Sequence, residues 1–72
     1  MNENQKKVLF ELIDNYGYEG FIDDMSHFRD VFMYEKDESE VAKAYKSLSI
    51  REEFEVIKVY VSYLEVMYHD VN

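Results

Sequence analysis

The sequence predicts an all-α fold, a small four-helix antiparallel bundle-like arrangement in a single domain that covers residues 1–72. The chain has no Pro and 2 Gly, whereas an all-β domain needs many turns. Its last third also carries apolar residues at alternating steps of four and three, which is the spacing of one face of an α-helix. The expected helices span about residues 4–16, 21–33, 38–48 and 50–70.

The first two helices are predicted from their apolar faces and from the residues at their ends. Asn2 or Asn4 can cap the start of the first helix, and Gly17 lies where a left-handed residue commonly ends one. Near the start of the second helix, Asp23 and Asp24 suit the positive end of the helix dipole. The apolar faces comprise Val8, Leu9, Leu12, Ile13 and Tyr16 in the first helix, and Phe21, Ile22, Met25, Phe28, Phe32 and Met33 in the second.

Two capping boxes mark the starts of the third and fourth helices. In this motif, a short polar side chain and the side chain three positions later each accept a hydrogen bond from the other residue's backbone. Asp37 with Glu40 has this form, and Ser49 with Glu52 has the stronger form. The apolar positions of the third helix are Val41, Ala44, Tyr45 and Leu48.

For part of the fourth helix, the sequence also allows a β-strand. Residues 56–63 are rich in β-branched and aromatic side chains, which favour strands. The alternative fold is therefore α+β, with a strand within residues 54–63. The sustained helical spacing favours the helix. Its main apolar stripe is Ile50, Phe54, Ile57, Val61, Leu64, Tyr68 and Val71.

Composition and motifs narrow the class of protein. The absence of Cys excludes a disulfide framework and thiolate metal sites. The sequence has no glycine-rich phosphate loop and no motif that would activate one of its serines, so we expect a protein that is not an enzyme and needs no cofactor. No apolar run approaches the roughly 20 residues that span a membrane, and the polar start does not resemble a signal peptide. A cytoplasmic location without membrane contact is the expectation.

The most informative feature for function is a second apolar stripe on the fourth helix. Together the two stripes cover more than half of the circumference, whereas a surface helix usually needs a narrower arc. One explanation is a central helix that contacts two neighbours in the bundle. The other is a surface that binds a protein partner or forms a homodimer, since Tyr and Met are enriched at interfaces. The predicted partner-binding residues are Val56, Val59, Tyr63, Val66 and Met67.

Acidic residues are concentrated in the middle of the chain. From Glu11 to Glu40, ten acidic residues stand against two basic ones. This charge disfavours direct binding of nucleic acid or anionic lipid and favours a basic partner. In general character, the chain resembles the short acidic helical proteins of bacteria and their phages. An alternative function is a phage-type nucleic-acid mimic that inhibits a basic protein. Its acidic surface would comprise Asp23, Asp24, Asp30, Glu35, Asp37 and Glu38.

A second alternative is a weak metal-dependent site around His27. Asp23, His27 and Asp30 follow one another at steps of four and three, which places two carboxylates and an imidazole on one face of the second helix. These groups can hold a divalent metal ion. The simpler interpretation is a solvated polar face opposite Phe28 and Phe32, because the sequence specifies no further ligand.

Overall fold

A computed structural model of the protein describes residues 1–17, 20–30 and 39–68. Within these ranges the chain forms four α-helices and no strand: α1 spans Glu3–Asn15, α2 Phe21–Arg29, α3 Glu40–Ser47 and α4 Ile50–Met67. The all-α prediction is confirmed. The alternative strand at 54–63 is wrong, because these residues lie inside α4, where helical periodicity outweighs strand propensity. The predicted ends of the second and fourth helices, at 31–33 and 69–70, lie outside the described residues.

The starts of α1 and α3 are capped by short polar side chains. The Asn2 side chain accepts the Gln5 backbone N–H at 2.9 Å, and the Gln5 side chain accepts the Asn2 N–H at 2.8 Å. This reciprocal box satisfies two backbone donors that the first turn leaves unpaired. At α3 the cap is Ser39, which accepts the Ala42 N–H at 3.1 Å. The N-cap of α3 is therefore Ser39 and not Asp37, as the predicted capping box required. Asp37 itself lies outside the described residues.

The predicted box at the start of α4 is confirmed. The Ser49 side chain accepts the Glu52 N–H at 3.1 Å, and a Glu52 carboxylate oxygen accepts the Ser49 N–H at 2.8 Å. The other carboxylate oxygen accepts a hydrogen bond from the Asn2 side chain at 2.6 Å. The Ser49 backbone N–H, followed by the Asn2 amide, lowers the pKa of Glu52. The same carboxylate thus joins the starts of α1 and α4.

Removing the cap of α4 is expected to lower stability by about 1 kcal/mol, the usual effect of replacing a capping Ser by Ala. Thermal and urea denaturation of Ser49→Ala, followed by circular dichroism, measure this loss. Ser62→Ala is the matched control, because Ser62 is exposed inside the same helix and Ala has the higher helix propensity. Equal stability of the two variants would contradict the capping role.

The central element of the fold is α1, which packs against both α3 and α4. This corrects the explanation that places the fourth helix at the centre of the bundle. The buried apolar side chains come from all four helices, with the largest share from α1. They are Val8, Leu9, Leu12, Phe28, Ala42, Ala44, Val56 and Tyr60.

Hydrogen bonds at the helix ends define the directions of the helices around α1. The Asn4 side chain donates to the Ser47 hydroxyl at 2.9 Å, and Lys7 pairs with Glu40 at 3.2 Å, so α1 and α3 are antiparallel. In contrast, α1 and α4 run in the same direction. Their starts meet at the hydrogen bond from the Asn2 side chain to the Glu52 carboxylate, and at their ends the Tyr68 hydroxyl donates to the Gly17 carbonyl.

The short connection after α3 explains why the predicted antiparallel arrangement does not extend to every pair of helices. Only residues 48 and 49 separate α3 from α4. The chain therefore turns back at once, and α4 follows the direction opposite to α3. Since α3 is antiparallel to α1, α4 is parallel to it.

The face of α4 that the protein buries differs from the predicted main stripe. Ile50 and Phe54 of that stripe are 70% and 64% exposed, whereas Val56 and Tyr60 are buried. Contacts with α1 and Gly17 follow one row of residues at steps of four, and such a row winds around a helix by about 40° per step. We call it the contact row: Glu52, Val56, Tyr60, Leu64 and Tyr68.

Two predictions for α2 also need correction. Ile22, placed on the apolar face, is exposed, and Phe21 is only partly covered. Asp24, placed on the acidic surface, is buried. The core contact of α2 comes from Phe28, whose ring meets Tyr16 edge-on at 5.4 Å and Tyr45 at 5.2 Å between ring centroids. Phe32 and Met33 lie outside the described residues.

Candidate functional site

Four large side chains on α4 form an exposed surface that we call the apolar patch: Val59, Tyr63, Val66 and Met67. Their exposed fractions lie between 37% and 78%. Their spacing of four, three and one places them within about 100° of the helix circumference. The oblique contact row explains their exposure, because it moves away from this side as α4 proceeds from Val56 to Leu64.

Val56 is not part of this patch, although the sequence placed it in the predicted partner-binding surface. Its side chain is 1% exposed and lies in the core. It belongs to the contact row, one helical turn before Tyr60. The patch therefore contains four of the five predicted residues, and contact with α1 and its neighbours accounts for the fifth.

A second exposed apolar pair lies at the start of α4. Ile50 and Phe54 are on the opposite side of the helix from the patch and are the most exposed among the described residues of the predicted main stripe. Sequence reasoning missed their exposure because it placed this stripe in the core. No local signal distinguishes the two sides, since both carry large apolar residues at helical spacing.

A groove of about 500 Å³ lies where the last turns of α4 meet the end of α1 and the start of α2. Almost all of its wall is apolar. Sequence reasoning did not predict this groove, because its residues come from three separate segments that only the folded chain brings together. They are Gly17, Phe21, Val61, Leu64, Glu65 and Tyr68.

Beneath Gly17 lies a buried polar cluster. The Asp24 carboxylate accepts the Gly17 N–H at 3.0 Å. The Tyr60 hydroxyl is buried and has no hydrogen-bond partner among the described residues. Burial, followed by the Asp24 charge, raises the pKa of Tyr60 to about 12. Burial also raises the pKa of Tyr16, with smaller contributions from Glu11 and Asp24. Both tyrosine hydroxyls therefore stay protonated at neutral pH.

Of the acidic surface predicted for a nucleic-acid mimic, two residues are exposed within the described ranges. Asp23 and Asp30 are exposed, whereas Asp24 is buried against the Gly17 backbone. The remaining members of the predicted acidic surface, Glu35, Asp37 and Glu38, lie outside the described residues.

The proposed ligands around His27 are not brought together as a metal site. Across residues 1–17, 20–30 and 39–68, no group of three His, Asp or Glu side chains is placed to hold a metal ion. Asp23, His27 and Asp30 are all within these ranges and do not form such a group. The imidazole of His27 instead lies against the ring of Tyr16, with 5.9 Å between the ring centroids.

Comparison of the chain with protein-family models, curated proteins and solved structures finds no match. In the part of the chain that the structure describes, no helix has the length and apolar character needed to cross a membrane. The candidate sites therefore depend on their own geometry and chemistry.

Proposed function

We propose that this protein is a small non-enzymatic interaction or regulatory protein whose apolar patch binds a helix of another protein. The observation that carries the proposal is the exposure of Val59, Tyr63, Val66 and Met67 next to one another on α4, the longest of the described helices. Clustered exposed apolar side chains are typical of protein-binding surfaces. An amphipathic helix from a partner can lay its own apolar side chains across such a face.

The charge of the chain favours a different protein over a second copy as the occupant of the patch. The net charge is −8, so two copies repel each other at low ionic strength. Beside the patch, the Glu55 carboxylate already pairs with the Met1 ammonium group at 3.8 Å and accepts a hydrogen bond from the Gln5 side chain at 3.3 Å. A partner helix with basic residues would complement the net negative charge of the chain, increasing the association rate and the specificity.

The proposal is tested by locating the partner contact and then measuring its affinity. A photo-crosslinking amino acid replaces Tyr63 in one variant and Phe54 in another, and the proteins captured by each in cell extract are identified. We expect one protein to be captured from position 63 and not from position 54. The affinity of that purified protein is then measured by calorimetry for wild type, Val66→Lys and Ile50→Lys.

Val66→Lys is expected to weaken this binding at least about tenfold, since it places a charge where the partner excludes water. Ile50→Lys is the matched control, because it makes the same kind of change at an exposed apolar position on the opposite side of α4. Its affinity should stay within about twofold of wild type. Equal weakening by both variants, or equal capture from both positions, would reject the patch as the binding surface.

Solution mass measured over a hundredfold range of concentration distinguishes a partner from a second copy. We expect a monomer at low salt throughout the range. A dimer that Val66→Lys dissociates and Ile50→Lys leaves intact would overturn the choice of a different protein and assign the patch to self-association.

A further inference from the structure

The groove beside Gly17 has the size and composition of a small-molecule site. Its volume of about 500 Å³ lies within the range of roughly 300–1,000 Å³ that is common for ligand pockets. Val61 and Leu64 give it an aliphatic wall, and Phe21 and Tyr68 contribute aromatic rings. Among the described residues that line it, Glu65 is the one with a charged side chain. A mostly apolar wall with one charged group suits a ligand that has a hydrocarbon body and one charged end.

Contacts within the protein hold both aromatic side chains in position. The Tyr68 hydroxyl donates a hydrogen bond to the Gly17 carbonyl, which fixes this ring beside the groove. The Phe21 ring lies against the Tyr60 ring with 6.3 Å between the centroids, and Tyr60 is fully buried. A wall that is already ordered costs less side-chain entropy when a ligand binds.

The charges around the groove favour a cation. The exposed residue Glu65 is part of its wall, and the buried carboxylate of Asp24 lies behind Gly17, whose N–H it accepts at 3.0 Å. The faces of Phe21 and Tyr68 are also electron-rich, and aromatic faces attract ammonium groups. Two carboxylates and two rings therefore create negative potential on an apolar surface.

We propose that this groove binds a small amphiphilic amine, a hydrocarbon body that carries one ammonium group. The hydrocarbon body contacts Val61 and Leu64, and the ammonium group lies between the Glu65 carboxylate and the rings of Phe21 and Tyr68. None of the residues that line the groove belongs to the apolar patch, and two of them, Leu64 and Tyr68, belong to the contact row. The proposal is therefore independent of the protein-binding function.

Two probes of equal size isolate the effect of charge: benzylamine, which is a cation at pH 7, and benzyl alcohol, which is neutral. Each is titrated into the ¹⁵N-labelled full chain, and backbone amide shifts are recorded. We expect saturable shifts concentrated at Gly17, Phe21 and Leu64, with benzylamine binding about fivefold more tightly than benzyl alcohol. This ratio corresponds to one exposed cation–π contact together with a partly screened ion pair.

Glu65→Gln removes the charge and keeps the shape of the side chain. It should weaken benzylamine binding about threefold and leave benzyl alcohol binding unchanged. Glu53→Gln is the control on the same helix, about 18 Å along its axis from Glu65, and should leave both affinities unchanged. Phe21→Leu retains an apolar side chain without the ring and should also weaken benzylamine binding about threefold.

Three results would overturn the proposal. The first is equal affinity for the amine and the alcohol, which would leave an apolar groove without preference for a cation. The second is the same response to benzylamine in Glu65→Gln and Glu53→Gln. The third is the absence of saturable shifts at Gly17, Phe21 and Leu64 at millimolar concentrations of benzylamine.

Discussion

Gly17→Ala is expected to destabilise the protein by about 2–5 kcal/mol, a large part of the total stability of a domain of this size. Gly17 has a φ angle of +97°, and non-glycine residues lose roughly 1–2 kcal/mol in left-handed conformations. A Cβ atom there would also lie 3.0 Å from Cδ2 of Leu64 and 3.3 Å from the hydroxyl oxygen of Tyr60. Relieving such crowding in a packed interior typically costs a further 1–3 kcal/mol.

Urea denaturation followed by circular dichroism at 222 nm measures this loss. Gly20→Ala is the matched control, because it makes the same change at the other glycine. Gly20 has a φ of −67°, and the nearest atom to an added Cβ is a carboxylate oxygen of Asp23 at 3.7 Å. Its effect should be below about 1 kcal/mol, since Gly and Ala differ modestly at the start of a helix. If both variants lost the same stability, backbone conformation and close packing at Gly17 would not be the cause.

Truncating Tyr60 is expected to have an effect of similar size, but removing only its hydroxyl should have the opposite sign. The ring is fully buried in the contact row, so Tyr60→Ala should cost about 3–5 kcal/mol, as is usual for a large aromatic side chain in a core. The hydroxyl is buried without a partner among the described residues, and burying an unpaired polar group is unfavourable. Tyr60→Phe should therefore raise the free energy of unfolding by about 1 kcal/mol.

The pH dependence of stability provides a second test of the effect of the Tyr60 hydroxyl. Its pKa is raised from 10.0 to about 12 in the folded protein, so the folded state retains this proton at pH values where the unfolded state has lost it. The free energy of unfolding of the wild-type protein is unaffected by this ionisation below pH 10 and falls as the pH rises toward 12. The advantage of Tyr60→Phe over wild type should therefore widen over this interval.

Urea midpoints at pH 8, 10 and 11 measure the difference between the two proteins. Tyr63→Phe is the control for stability at pH 8, because this ring lies on the surface and losing its hydroxyl should change stability by less than about 0.5 kcal/mol. A lower stability of Tyr60→Phe than of wild type at pH 8 would mean that the hydroxyl makes a favourable hydrogen bond, contrary to our interpretation.

Local sequence signals predicted the parts of the fold that depend on neighbouring residues. The cap at Asn2, the left-handed residue at Gly17 and the box formed by Ser49 and Glu52 were all identified from short spacings. Each depends on hydrogen bonds or backbone angles within a few residues, so the information is present in the sequence.

The buried face of α4 depended on a distant element and was predicted wrongly. Both sides of this helix offer large apolar residues, and the oblique crossing of α1 buries Val56 and Tyr60 and exposes Ile50 and Phe54. The predicted main stripe follows alternating steps of four and three, whereas the residues of α4 that contact α1 and Gly17 follow steps of four alone. The burial of Asp24 likewise depends on a tertiary contact, the N–H of Gly17. The groove and the apolar patch both result from this crossing, which no local spacing reveals.

The position of α1 between α3 and α4 has a consequence for the order in which the protein acquires structure during translation. Of the four described helices, α1 is synthesised before the others, and α4, which covers part of α1, is synthesised last. The hydrogen bonds that join the starts of these two helices connect residues 47 to 50 positions apart. The side of α1 that packs against α4 therefore stays uncovered until α4 has been synthesised, which favours late, concerted folding.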